Sequence, residues 1–252
     1  MLRATIVIAL VLASFACPRV QAGYIYLPPW NLPRPNINAP AVTPAHIGRP
    51  TVVTAEQIGL FALQSEVGIP NPPGSSSYDP AKRCYAICSA GSGISGTSDQ
   101  FRYVSRPATG DARLETDIAQ VQTQGEIRGV TALVIRQNLA ADSPELALEL
   151  EADGSLVVAT RKAEKDSVEE NCRIPPPTGE HGIVRLALEK RGDRVTLYAT
   201  RLGAPLSAIV PALKFHLKDP YQIGVGVWSH RTDYRACVTL SRVSLAGASP
   251  KP

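Results

Sequence analysis

An all-β fold, a sandwich or a barrel, is what this chain predicts, and two observations predict it. Short segments between about residues 85 and 245 alternate apolar and polar side chains, and Gly, Pro or Asp punctuates the gaps between them. Leu146, Leu148 and Leu150 alternate with Ala147, Glu149 and Glu151; Val184, Leu186 and Leu188 alternate with Arg185, Ala187 and Glu189. Val195, Leu197 and Ala199 repeat the pattern against Thr196, Tyr198 and Thr200. A period of two gives each strand one face to bury, and many such segments separated by turns form layered or closed sheets.

The N-terminus reads as a secretory leader over residues 1–22. Met1-Leu2-Arg3 carries one positive charge, residues 4–16 are apolar, and small residues end at Ala22. The apolar stretch is shorter than the roughly 20 residues that span a bilayer, and no other segment is apolar enough to cross one. A lipidated Cys17 is the rival reading, but Ser14 and Phe15 are poor flanking residues for it. Cleavage after Ala22 removes Arg3 and Arg19, so the formal charge falls from +4 to +2. That near-balance excludes the basic footprint of a nucleic-acid binder. Four cysteines then remain, Cys84, Cys88, Cys172 and Cys237, an even set bound for a secreted or periplasmic, oxidising compartment. Two disulfides are expected, with three pairings open. Cys84 and Cys88 would lie roughly 13 Å apart on an extended strand, too far to bond each other. Each is therefore expected to reach a distant partner, one Cys237 and the other Cys172. A zinc site at Cys84 and Cys88 is the alternative, weakened because no His lies near either in sequence.

Residues 23–67 read as a Pro-rich tether, with seven prolines between 23 and 50. Within it Thr54-Ala55-Glu56-Gln57 resembles a capping box, followed by Ile58, Phe61 and Ala62, which predicts a short helix ending near Gly68. Gly59 weakens that helix. Residues 68–246 are long enough for one single-core domain, and 247–252 are left as a disordered tail. The charged run 161–170, followed by Pro175-Pro176-Pro177, reads as a solvated loop or irregular edge.

Several stretches between 68 and 245 carry a resemblance in their order and spacing. They include Gly91-Ser92-Gly93-Ile94, Ser98-Asp99-Gln100-Phe101-Arg102-Tyr103-Val104 and Ala132-Leu133-Val134-Ile135-Arg136. Tyr221-Gln222-Ile223-Gly224-Val225-Gly226-Val227-Trp228-Ser229-His230 follows, and 74–80, 109–111, 151–154 and 186–193 add to them. In these the chain resembles a family of secreted domains of the concanavalin A-like lectin/glucanase superfamily, the "regulation of enolase"-like domains often appended to carbohydrate-active enzymes. The resemblance implies a two-sheet antiparallel jelly-roll sandwich, and no agreed activity. Two tryptophan positions of the family are replaced here, by Ser95 and within Glu126-Ile127-Arg128-Gly129, which thins any aromatic platform for sugar.

The candidate site residues are Trp228, His230, Tyr103, Arg136 and Asp99. On the strand 221–230, Gln222, Gly224, Gly226, Trp228 and His230 share a face, so two glycines leave room beside an indole and an imidazole. That arrangement suits the floor of a ligand groove; the competing reading is that the glycines admit a neighbouring segment and Trp228 fills the core. Tyr103 and Asp99 share a face and suit a polar pocket with Arg136. Arg136 needs a carboxylate, Asp99 or Asp111, and a structural salt bridge is the plainer meaning.

Glu149 and Glu151 share a face, with Asp153 continuing the spacing, the alternation that a glycosidase acid pair would have. Asp153-Gly154 is a turn signal that puts them at a strand end, where solvated carboxylates are ordinary. His46, His181, His216 and His230 are scattered and no nucleophile elbow appears, so no catalytic residue is assigned. No cofactor is assigned; Asp79, Asp99 and Asp111 lie near turns without a calcium-loop pattern. The resulting expectation is a non-catalytic binding module for a glycan or an envelope or matrix polymer. A structural or protein-interaction domain is the alternative, and a glycosidase the weaker one.

Overall fold

A computed structural model describes residues 51–123, 126–127, 129–176, 184–201 and 204–247. The leader, Cys17, the 23–50 segment, His46, His181 and residues 248–252 lie outside the described residues. The described chain is all strand and turn. In order it forms β1 (Val52–Thr54), β2 (Leu63–Val67), β3 (Ser75–Asp79), β4 (Cys84–Gly91), β5 (Phe101–Ala108) and β6 (Ala112–Thr123). Then come β7 (Glu126–Ile127), β8 (Val130–Arg136), β9 (Glu145–Leu150), β10 (Leu156–Arg161), β11 (Glu169–Ile174) and β12 (Val184–Arg191). The last are β13 (Arg194–Arg201), β14 (Ser207–Ala208), β15 (Leu213–Lys214), β16 (Tyr221–Trp228) and β17 (Arg231–Ala246).

Among the described residues these make two antiparallel sheets. One runs β1-β2-β5-β16-β8-β9-β10-β11. The other runs β14-β13-β12-β6-β17-β4-β3, with β15 added to β13 and β7 to β6. The alternation read from the sequence is the alternation of the strands. Leu146, Leu148 and Leu150 of β9 face inward with Leu133 and Ile135 of β8 and Ile223, Val225 and Val227 of β16. Leu186 and Leu188 of β12, Val195 and Leu197 of β13, and Val238 and Leu240 of β17 meet them from the second sheet. Each such side chain, fully buried, contributes about 1.5–3 kcal/mol, so this core is the main term holding the layers together.

The expected helix within 54–67 does not form. Ile58 and Phe61 exchange backbone hydrogen bonds (2.9 and 3.0 Å) around a tight turn, and residues 63–67 are β2, paired with β1 and β5. Gly59 makes the turn at φ +55°, and the Tyr85 hydroxyl occupies the space its Cβ would need. That hydroxyl also accepts the Leu60 N–H at 2.7 Å, while the Phe61 ring is buried edge-on against Tyr85 at 5.3 Å. A tertiary contact therefore overrides a local capping pattern. The sandwich takes in β1 and β2, which lie in the stretch assigned to the tether.

One disulfide is present, Cys88–Cys237, between directly opposed residues of β4 and β17. The expected second bridge, Cys84–Cys172, is absent. Cys84 lies on β4, which packs across from β5 and β16, whereas Cys172 lies on β11, the terminal strand of the opposite sheet. The Cys84 thiol donates to the Lys82 carbonyl oxygen at 3.3 Å, and Cys172 is a half-buried thiol.

The middle of the eight-stranded sheet, at β16, β8 and β9, is buried on both faces, while β1 and β11 at its two ends are largely exposed. On its outer side Phe101, Tyr103, Val130, Ala132, Val134, Ala147 and Trp228 form a second, smaller core. Ile94, Leu139, Ala141 and Val168 close it, from the loops that follow β4, β8 and β10.

Candidate functional site

Under those three loops lie four charged side chains with no exposed surface: Asp99, Arg136, Glu145 and Arg161. Antiparallel register brings them together. Glu145 opposes Arg136 on β8 and Arg161 on β10, all on the outer face. Arg161 grips Asp99 with both terminal nitrogens (2.6 and 2.8 Å) and donates to Glu145 at 2.7 Å. Its two remaining N–H groups reach the carbonyl oxygens of Gly96 and Asp166, and an Nη1 hydrogen is shared with the Ser143 carbonyl at 3.1 Å, one carbonyl in each covering loop. Arg136 donates to Asp99 at 3.1 Å and to the Ala140 carbonyl at 2.6 Å. Its guanidinium lies 5.3 Å from the Phe101 ring centroid. Burial pushes the Glu145 carboxyl well up, against the pull of Arg136 and Arg161. The quartet is a clasp: it satisfies loop carbonyls and fixes three loops over the sheet.

This places most of the sequence candidates in the interior. Arg136 pairs with Asp99 rather than Asp111, which instead accepts the Gly192 N–H at 2.8 Å. Tyr103 is buried and donates its hydroxyl to the Val134 carbonyl at 3.0 Å. Trp228 is fully buried, so it is not available as a stacking platform. The glycine gap is filled from within: Phe101 packs on Gly226, and Gly93 lies directly over the indole at φ +83° with no room for a Cβ. Glu145 and Arg161 were missed. Arg161 was placed with the solvated run, yet it occupies the outward parity position after Val157 and Ala159 on a buried strand. A charge ending an otherwise apolar set was the available signal.

His230 alone of those five candidates is exposed. It follows β16 at φ +57°, a left-handed conformation that sets its ring edge-on above Trp228, 6.2 Å between centroids. Its Nε2 lies 3.3 Å from the Glu151 carboxylate; the two side chains are 54% and 16% exposed. Arg173 on β11 feels the charges of Glu151 and Asp153 and is paired with Glu170 at 2.8 and 3.0 Å. An imidazole, a carboxylate and a guanidinium thus lie towards the same end of strands β16, β9 and β11, across the width of the sheet.

Glu149, expected to be solvated, is only 5% exposed, and its Oε1 has no hydrogen-bond partner. Burial, then Glu151 and Glu170, pushes its carboxyl up to about 8. Below its ordinary value of 4.5 the folded and unfolded chains both carry this proton; between 4.5 and about 8 only the folded chain does. Stability therefore falls as pH rises through that window and levels off above it. Glu149→Gln is expected to flatten the profile, gaining on the order of 3 kcal/mol at pH 8.5 and almost nothing at pH 5. Urea melts of both proteins across that range read the difference, and parallel profiles would refute it.

Among the described residues no three His, Cys, Asp or Glu side chains converge as metal ligands. Asp79 instead accepts the Ala81 and Lys82 N–H groups. No described helix is long and apolar enough to cross a membrane.

No family model matches the chain, and no curated protein matches it. Solved structures do. A functionally unknown protein from Saccharomyces cerevisiae superposes with a TM-score of 0.53 at 11% identity, over 71% of this chain and 94% of that one. The carbohydrate binding module CBM66 from Bacillus subtilis gives 0.48 at 18%, over 70% and 92%. The alginate lyase from Klebsiella pneumoniae gives 0.45 at 13%, over 72% and 87%. The fold is a two-sheet antiparallel jelly-roll sandwich. At these identities the likeness is one of architecture, and a jelly roll hosts many unrelated activities.

Proposed function

We propose that this jelly roll is a secreted, non-catalytic glycan-binding module whose ligand lies across the strand ends that carry His230, Glu151 and Arg173, the edge of the sandwich. The observation that carries the reading is His230, held exposed in a left-handed backbone conformation and hydrogen-bonded to Glu151. Such non-glycine strain persists at functional positions because the surrounding structure holds it. An imidazole, a carboxylate and a guanidinium supply the mixed donors and acceptors that sugar hydroxyls need. The disulfide supports secretion, because such bonds persist in oxidising compartments. The resemblance of residues 68–245 to domains appended to carbohydrate-active enzymes supports a glycan over other polymers. Burial of Glu149 favours binding over hydrolysis, since a catalytic carboxyl must touch its substrate.

Affinity electrophoresis in gels containing single polysaccharides, neutral and acidic, tests this. At least one polymer is expected to retard the protein, and His230→Ala and Glu151→Gln are each expected to weaken that retention about tenfold or more. Trp228→Phe keeps the buried ring and is expected to retain binding. Free migration in every gel would overturn the proposal.

A further inference from the structure

A second cavity, of about 440 Å³, lies away from that edge, between the β3–β4 hairpin and β17. Its volume falls in the range of small-molecule sites. Leu60, Tyr78 and Tyr85 give it an apolar and aromatic side, and Lys82, Arg83 and Arg242 give it three cations; no carboxylate lines it among the described residues. Tyr78 and Tyr85 are directly opposed on β3 and β4, with ring centroids 4.5 Å apart.

Two backbone irregularities bring the arginines here. Arg83 ends the hairpin turn at φ +51°, and Arg242 stands at φ +50°. The register of β17 against β6 shifts between Ser241 and Ser244, so Arg242 belongs to a bulge. Bulges re-aim side chains and recur beside binding sites, and left-handed arginines are strained. Both arginines line the same cavity.

The cations are incompletely neutralised. Asp117 accepts from Arg242 and also from Arg185 at 2.6 Å, and Glu115 lies 3.8 Å from Arg185 but is itself paired with Arg113. Lys82 lies 3.8 Å from Asp79, whose other oxygen caps the turn. Arg83 is exposed and has no ion-pair partner among the described residues. A guanidinium with free donors beside a tyrosine face suits a ring that carries an anionic substituent.

We infer that this cavity binds a sugar acid, its ring against Tyr78 and its carboxylate on Arg83. The site is independent of the His230 edge, and each can fail without the other. Calorimetric titration of the full mature chain at low salt, with trigalacturonate and with a neutral trisaccharide of similar size, tests it. The acidic trimer is expected to bind, and the neutral one to bind at least about tenfold more weakly. Arg83→Asn removes the charge while tolerating the left-handed turn, so it is expected to weaken acidic-trimer binding about tenfold or more without changing the melting temperature. Lys82→Gln, whose backbone is unstrained, is expected to weaken it less; His230→Ala is expected to leave it intact. Inorganic sulfate is expected to compete only weakly, because it has no ring. Equal affinity for both trimers, unchanged binding by Arg83→Asn, sulfate competing as well as the sugar acid, or no binding up to about 10 mM would each overturn the inference.

Discussion

Methionine in place of Arg161 is expected to cost the fold about 3–5 kcal/mol, a large part of the stability of a domain this size. The loss is not that of one ion pair. Removing the guanidinium leaves Asp99 and Glu145 buried with Arg136 as their one counter-ion, and it strips donors from the Gly96, Ser143 and Asp166 carbonyls. Breaking a buried pair from one side costs far more than replacing the whole set with apolar residues. Arg136→Met and Glu145→Met together are accordingly expected to cost less than the sum of the two single changes, by about 1 kcal/mol or more. Urea midpoints at pH 7 read both effects. A single Arg161→Met loss below about 1 kcal/mol would show that the quartet is not desolvated as described.

Serine at Cys88 is expected to have the second-largest effect, about 2–5 kcal/mol. The bridge closes 149 residues of chain, so its loss restores much conformational freedom to the unfolded state. A variant with Cys84→Ser and Cys172→Ser keeps the Cys88–Cys237 bridge and is expected to lose less stability than Cys88→Ser does. Reductant should lower its urea midpoint as far as Cys88→Ser does. Four reactive thiols in the oxidised native protein would contradict the bridge.

Much of the fold was legible because alternation is local. The runs at 146–150, 184–188 and 195–199 became β9, β12 and β13 with the expected residues facing inward. That Arg136 needs a carboxylate was legible too, but the sequence left Asp99 and Asp111 open and the fold selects Asp99. The N-terminal strands were not. The capping-box pattern at 54–57 described what that peptide prefers alone, whereas Tyr85, far along the chain, decided what it does. Of the five candidate residues only His230 is exposed, and exposure depends on which loops cover a face, which no local pattern states.

What the chain's own pattern determined is therefore the strands, their inward faces and the two-layer class, all consequences of a two-residue period that any window of sequence displays. Only the tertiary structure decided that the outer face of the eight-stranded sheet is closed over its middle, that Glu145 and Arg161 complete a buried quartet, and that Cys88 meets Cys237. Those outcomes depend on register between strands distant in sequence and on aperiodic loops folding over a sheet. Desolvation is a property of that assembled arrangement, and no residue carries it alone.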